Sequence, residues 1–540
     1  MGEWTIGGVV DAIAEVVPDR EMTVCGTRRS TFAQSADRTR RLANFLAGRR
    51  LGVRRERAEL ANWECGQDRV ALLMHNDLYP DMVVGCLKAR TVPVNVNHYY
   101  TPVEAGELLD YVRPRAVIFH ASLEPKFADT LRDCGADLLI RIDDGAADAP
   151  ILDATSLDDA LAQGDTDQQI VPSPDDVLMI CTGGTTGRPK GVLWRQSDIY
   201  VSSMVGDDHA SAAEIHQKVQ YAGPPWFALS PLMHAAGLWT AFSAILSGQT
   251  VILNDTRTKF DPRAVLETIE REKVGLMTMV GDAYAAPLVA ELGRSNHDLS
   301  SLHSIGTGGA ATNPKYQAAL LEYLPQITLI NGYGSSETGN MGFGRSQRDA
   351  RRDTFELRTG GSVVSQDRTR FLQPGDPEIG WVVRAGRIPL GYFDDADATR
   401  RTFCEVDGQR VVISGDRASI EKDGTLRFLG RDALVVNTGG EKVFVEEVEE
   451  VIRAHPGVAD ALVVGRPSER WGEELVALVA LQPDADISDD LLAAQCKSVL
   501  AGFKVPKEFI VVAQVRRLGN GKADYRWAKR RVNQEASTPS

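Results

Sequence analysis

The residues best suited to chemistry in this chain are twelve in a row, Cys181-Thr-Gly-Gly-Thr-Thr-Gly-Arg-Pro-Lys-Gly-Val192. Gly183, Gly184 and Gly187 let the backbone close on an anion and aim successive N–H groups at it. Thr182, Thr185 and Thr186 add hydroxyls, and Lys190 adds a positive charge. The loop follows the apolar run Val177–Cys181, which reads as a buried strand, and a strand feeding such a loop suits a polyphosphate. Two familiar phosphate motifs do not fit. The G-x-x-x-x-G-K-[ST] pattern fails because Arg188 and Pro189 separate Gly187 from Lys190 and Gly191 follows the lysine; G-x-G-x-x-G fails in spacing. An ordinary Gly/Thr-rich turn is the plain alternative. Loops this rich in both glycine and hydroxyls seldom follow a buried strand without a ligand.

The elements that must hold this loop alternate along the chain. Thr31 to Leu51 carries apolar residues at helical spacing with arginines on the other face. Val70–His75 and Ala116–His120 read as buried strands with the helix-like Asp81–Ala89 between them, which predicts a largely parallel sheet covered on both faces. Asp143 to Asp176, rich in Asp, Ala, Gly and Pro, reads as a surface connection. A second α/β unit follows in Val177–Cys181, Trp226–Ser230, Thr250–Asn254, Gly275–Val280 and Thr328–Gly332. Arg345 to Arg358 reads as a solvated loop, and short glycine-rich β segments run on to about Gly430. From Arg431 a small α+β pattern begins. The expectation is an α/β protein: a large N-terminal domain of doubly wound sheets plus a β-rich subdomain over residues 1–430, and a smaller C-terminal α+β domain over 431–540.

Bulk properties narrow the function classes. A chain of 540 residues exceeds one ordinary core and splits into domains. A net charge of -14 argues against a nucleic-acid partner, because phosphate backbones call for a basic surface. The seven cysteines are scattered, with no C-x-x-C pair, which points away from a disulfide framework or zinc site and towards reduced thiols. No stretch approaches the ~20 apolar residues that span a bilayer, and the first twenty residues lack the apolar core of a signal peptide. A cytoplasmic protein without stable membrane insertion is the expectation.

Six further segments come in order: Pro231-Leu-Met-His234-Ala-Ala-Gly237, Gly308-Gly309-Ala310, Asn331-Gly332-Tyr333-Gly-Ser-Ser336-Glu337-Thr338, Ser414-Gly-Asp416 with Gly430-Arg431, Asn437-Thr-Gly439-Gly440-Glu441-Lys442 and Gly519-Asn-Gly521-Lys522. With the glycine-rich loop they resemble the motifs of the adenylate-forming superfamily of acyl-CoA synthetases, luciferases and peptide-synthetase adenylation domains. The resemblance runs from Cys86 to Lys522, essentially the whole chain. It implies that the loop at Thr182–Lys190 holds ATP phosphates. Gly309, Ala310, Asn331, Gly332, Tyr333 and Ser336 would surround the adenosine, Tyr333 offering a flat face to adenine. Glu337 would give a hard carboxylate to Mg2+, Asp416 would accept both ribose hydroxyls, and Arg431 would contact ribose and phosphate. His234, Ala235, Gly237 and Gly308 would line the acyl pocket. Outside this context, His234 would read as a satisfied core histidine and Glu337 as an acid near a helix start.

The implied reaction has two halves. A carboxylic acid attacks the α-phosphorus of ATP, with Lys522 bridging carboxylate and phosphate; the thiol of coenzyme A then displaces AMP, with the Asn437–Lys442 loop brought in by a mobile C-terminal domain. Lys522, Glu337 and His234 are the expected catalytic residues. This sequence has Gly183 where the family usually has Ser, Ser336 for Thr, Ala433 for Asp or Lys, Asn437 for Lys and Val445 for Pro. An enzyme specialised for one half-reaction, acting on a supplied acyl-adenylate or making one, is therefore an alternative. A non-catalytic nucleotide sensor is the alternative from another class. Ala235 and Ala236 stand where peptide-synthetase domains carry an amine-pairing Asp, so an amino acid is not the expected substrate. The closest resemblance is to actinobacterial ligases for steroid-like, bulky acids, with small residues at the pocket suiting width or close packing equally. The resemblance leaves a homodimer open.

Overall fold

The protein is described by a computed structural model. It covers residues 2–536 except 147–148, 167–168, 184–188, 222, 256, 258, 311, 347–353, 439–440, 469–471, 484 and 519–520. Gly184, Thr185, Thr186, Gly187, Gly439 and Gly440 therefore lie outside the described residues, as do Asn520 and the side chains of Asn437 and Lys442.

The first sheet has the order Gly391–Tyr392, Pro189–Arg195, Val177–Gly183, Val92–Asn95, Arg69–Leu73, Ala116–His120, Leu138–Ile142 and Thr155–Ser156. From Val177–Gly183 onward its neighbours are parallel. Both faces are covered, as continuous apolar runs require. In Arg69–Leu73, Val70 and Leu72 enter one buried cluster while Ala71 and Leu73 enter another on the opposite face. The helix Phe32–Gly48 starts at Thr31, whose hydroxyl accepts from the Gln34 amide while the Gln34 side chain returns to the Thr31 amide. Its buried Leu42 meets Gly85 on the helix Tyr79–Lys88, where a Cβ would stand only 2.6 Å from Leu42 Cδ2. A side chain at Gly85 would push these helices apart.

The second sheet carries the expected β-rich part as a continuation of its parallel strands. Strands Trp226–Ala228, Val251–Leu253, Leu276–Met279, Ser304–Gly308 and Thr328–Ser335 form its parallel part. The glycine-rich β segments continue it without a break as an antiparallel part, through Gly339–Ser346, Thr354–Leu357, Leu426–Arg431 and Gln409–Ile420. Arg345–Arg358, expected as a solvated loop, has strand at both ends. Thr354–Leu357 pairs with Gly339–Ser346 on one side and Leu426–Arg431 on the other. The connection Asp143–Asp176 also holds a short helix, Leu157–Gln163, capped by Ser156.

The third sheet orders Glu441–Phe444, Val435–Thr438, Gly472–Leu481 and Val458–Ser468, with Glu508–Val511 parallel to Gly472–Leu481. The helix Val445–Arg453 buries Val445, Val448, Glu449 and Ile452, the one-face spacing of an amphipathic helix. Val445 takes the first helical position, where proline is also favoured, so valine starts the helix at the place a proline suits. No helix among the described residues is long and apolar enough to cross a membrane.

Candidate active site

The two ends of the glycine-rich segment lie in paired strands. Val177–Gly183 runs antiparallel to Pro189–Arg195, with Thr182 opposite Lys190 and Gly183 opposite Pro189. Asn95, at the end of the neighbouring strand, fixes its base. The Asn95 amide oxygen accepts from Cys181 N at 2.7 Å, and its Nδ2 donates to Cys181 O at 3.0 Å and to Met233 O at 2.8 Å. One side chain thus ties the phosphate hairpin to the segment that carries His234. From the other arm, buried Trp194 donates its indole N–H to Ser336 O at 2.8 Å, anchoring the turn that presents Glu337.

Glu337 is not at a helix start; it lies in the turn between Thr328–Ser335 and Gly339–Ser346. Its Oε1 accepts from the Tyr392 hydroxyl at 3.1 Å, and Lys190 Nζ lies 4.8 Å from the centroid of the same ring. Burial, then the charge of Glu337, raises Tyr392 far above an ordinary tyrosine, so it stays a donor. Tyr392 was not foreseen from the sequence. Its strand Gly391–Tyr392 pairs with Val192–Leu193 from two hundred residues away, and nothing local marks it.

On the adenosine side, Ser304–Gly308 and Thr328–Ser335 place Thr307 opposite Asn331 and Gly308 opposite Gly332. A Cβ on Gly308 would stand 3.1 Å from Gly332 O, so this glycine serves the close approach of two strands. Tyr333 donates to Asp416 Oδ2 at 2.6 Å and packs against Phe355 and Phe428, with centroids 5.1 and 5.5 Å away. Asp416 is paired in register with Arg431, whose Nε lies 3.5 Å from Oδ1. Burial raises Asp416 above the usual carboxylate value, and Arg431 opposes the shift.

Lys522, far along the chain, enters this group. Its side chain keeps solvent exposure, yet the protein atoms around it push it below the usual lysine value and Arg431 adds to the shift, while Glu337 and Asp416 oppose it. On either side of its loop, Gly521 N donates to Leu518 O and Leu518 N to Lys522 O, both at 2.8 Å. Gly521 has φ +77°, and a Cβ there would lie 3.6 Å from Ala283 Cβ and Val280 O. Arg517 braces the loop by pairing with Asp460 at 2.7 Å, and Lys315 donates to Val458 O at 3.0 Å.

His234 immediately precedes the helix Ala235–Ile245, without a side-chain capping bond. Burial, then the charge of Lys522, pushes it down to about 4, so it is neutral near pH 7, and its Nε2 is buried without a hydrogen-bond partner. His234 and Ala235 border a small cavity of about 10 Å³ with Tyr79, Asn95 and Met233. Gly237 is buried where a Cβ would stand 2.5 Å from Pro231 O, so backbone crowding accounts for it. Gly309 has φ +77° with Val280 Cγ1 and Ala236 Cβ at 3.7 and 3.9 Å from its notional Cβ, next to half-exposed Ala310. Val280 therefore touches both the Gly308–Ala310 segment and the Lys522 loop. A cavity of about 540 Å³ bordered by Arg358, Ser362, Phe371 and Gln373 involves none of these residues.

The structure thus brings together Lys190, Glu337, Tyr333, Asp416, Arg431, His234 and Lys522. Asn437, Glu441 and Lys442 belong to a hairpin of the third sheet, with Asn437 opposite Lys442 and Thr438 paired to Gly472. A Mg2+ ion shared with phosphates needs one or two carboxylates and completes its shell with phosphate and water oxygens; Glu337 fits that need.

Comparison with known proteins shows the family. The family model described as AMP-binding enzyme matches residues 10–373, and that described as AMP-binding enzyme C-terminal domain matches 447–522. A medium-chain acyl-CoA ligase, Mig, of Mycobacterium avium is 41% identical over 97% of this chain and 98% of its own. A 3-oxocholest-4-en-26-oate–CoA ligase of Rhodococcus rhodochrous is 32% identical over 97% of this chain and 95% of its own. Among solved structures, ATP-bound MatB from Rhodopseudomonas palustris shares the fold with a TM-score of 0.80 at 22% identity, over 99% of this chain and 100% of that one.

Proposed function

The chain belongs to the AMP-binding enzyme family and is an ATP-dependent, AMP-forming acid–CoA ligase, and from that premise we propose which residues serve the two half-reactions and which acids they take. The observation that carries the proposal is the placement of Lys522, whose carbonyl accepts a hydrogen bond from Leu518 N, within electrostatic reach of Glu337, Asp416 and Arg431.

Adenylation brings two anions together, so positioning and charge neutralisation do most of the catalysis. Thr182, Lys190 and the glycines between them hold the β- and γ-phosphates. Asp416, oriented by Tyr333, accepts the ribose hydroxyls, and Arg431 covers the ribose and phosphate. Lys522 bridges the substrate carboxylate and the α-phosphoryl oxygens, steadying the charge that develops as pyrophosphate leaves. Glu337 would hold Mg2+, which neutralises phosphate charge when bound; Tyr392 keeps that carboxylate in place beside Lys190. His234, neutral, borders the acyl group.

Lys522 and a path for the pantetheine thiol compete for the same space. We place the domain boundary at residues 430 and 431 and assign the second half-reaction to a rotated arrangement that withdraws Lys522 and brings the Asn437–Lys442 hairpin to the acyl-adenylate. A sensor without turnover has no use for Lys522, and Val445 starts its helix at the place a proline suits, so neither alternative is favoured.

The substrate class follows from the relatives: medium- or long-chain fatty acids and steroid-like acids. Acid-dependent ATP–pyrophosphate exchange, followed by mass detection of the coenzyme A ester across polycyclic, long-chain, aromatic and short acids, tests this. Preference for short acids would remove the bulky-acid assignment.

A further inference from the structure

Three neighbouring parallel strands of the first sheet, Val92–Asn95, Arg69–Leu73 and Ala116–His120, end at one edge, and each delivers a histidine there: His98, His75 and His120. The next strand in that sheet feeds the phosphate hairpin, so the cluster occupies the carboxyl-end crevice where α/β sheets bind ligands. All three are buried, at 4%, 5% and 0% exposure. Two of them have internal partners. His120 Nδ1 accepts from His75 N at 3.0 Å, and its Nε2 faces Asp77 Oδ1 at 3.1 Å. His75 Nε2 lies 3.3 Å from Ser122 Oγ.

His98 differs. Its Nδ1 stands 3.0 Å from Met74 O, and a carbonyl only accepts, so Nδ1 carries the proton. Burial first, then His75, pushes the ring down to about 3, with His234 and Lys126 adding to the shift. The ring is neutral and Nε2 is an acceptor, buried without a partner. A buried acceptor left unpaired is costly. The ring lies 4.8 Å from His75 and 4.3 Å from Tyr99. Asn95, which ends the strand leading to His98, donates to Met233 O at 2.8 Å, next to His234, and this places His98 on the His234 side of the site. Tyr284 lies near Tyr99, and Phe260 packs on Tyr284 at 4.9 Å, adding aromatic surface.

We propose that His98 is a specificity-determining residue whose Nε2 accepts a hydrogen bond from a hydroxyl on the acyl group, so that hydroxylated acids are preferred to their keto and unsubstituted counterparts. A ketone oxygen in the same place would set two acceptors against each other, and a methylene would leave Nε2 unpaired. The inference rests on the ligase reading and on His234 bordering the acyl group.

The test uses matched acids on one carbon skeleton, bearing a hydroxyl, a ketone or only hydrogen, with the substituent stepped along the chain away from the carboxylate. The readout is the ratio of kcat/KM values for coenzyme A ester formation within each enzyme, which is insensitive to how much of a variant folds. The full-length enzyme should favour the hydroxy acid by at least about tenfold at one position. In His98→Phe the ratio should collapse towards one, and in His98→Gln, whose amide also donates, the keto acid should gain on the hydroxy acid. No preference in the parent enzyme, or one that survives His98→Phe, overturns the assignment while leaving the ligase reading intact. Conversion of none of the acids overturns both.

Discussion

The Tyr392 hydroxyl donates to Glu337 Oε1 at 3.1 Å, joining a short edge strand of the first sheet to a turn of the second. The same ring supports Lys190 at 4.8 Å, so one tyrosine couples the cation of the phosphate hairpin to the carboxylate suited to Mg2+. Tyr392→Phe keeps the ring and removes the hydroxyl. It should lower kcat/KM for ATP by about tenfold, the worth of one charge-assisted hydrogen bond, and raise the Mg2+ concentration needed for half-maximal rate. Tyr392→Leu, which removes the platform under Lys190 as well, should cost more. Initial rates across ATP and Mg2+ concentrations check this; equal kinetics in Tyr392→Phe and the parent would show the contact to be incidental.

Asn95 makes three hydrogen bonds that tie the base of the phosphate hairpin to Met233. Asn95→Ala leaves the Cys181 and Met233 groups without these partners and should destabilise the protein by about 2 kcal/mol. KM for ATP should rise with it, since the hairpin loses its fixed base. Thermal melting with and without ATP reads both effects. A lower melting temperature with unchanged ATP dependence would make Asn95 purely structural.

Much of this was legible in the sequence, for physical reasons that differ by element. Ala116–His120 was read with both its ends, because a strand buried on both faces is a continuous apolar run. The helix from Thr31 declared its own start through a capping box. The antiparallel half of the second sheet was legible as short β segments but not in its pairing. Phe355, in a segment dense with arginines, finds its place only by packing on Tyr333. Among site residues, those set by backbone chemistry, the glycines and threonines of the hairpin, stand out locally. Asn95, Tyr392 and His98 do not, because their roles come from partners on other strands.

Glu446 makes the junction between Arg431 and the third sheet pH-dependent. Burial first, then the charge of Glu449, pushes its carboxyl from 4.5 up to about 7, against hydrogen bonds from its own backbone and Arg431 and the charge of Arg431. A folded value above the unfolded one means the folded state binds the extra proton, so stability is lost as pH rises from about 4.5 through about 7. Glu446→Gln cannot ionise and retains an acceptor for Arg431 N. Its melting temperature should exceed the parent's at pH 8, equivalent to about 1–2 kcal/mol, and the gap should close near pH 4.5. A gap that is constant with pH would contradict this account.

The central claim is that Lys522, from the far end of the chain, acts at the α-phosphate in the first half-reaction only. The direct measurement is Lys522→Ala assayed in two ways: acid-dependent ATP–pyrophosphate exchange, and coenzyme A ester formation from a supplied acyl-adenylate. Exchange should fall by about 10²-fold or more, while ester formation from the adenylate stays near the parent rate. Exchange at the parent rate, or equal losses in both assays, would contradict the account.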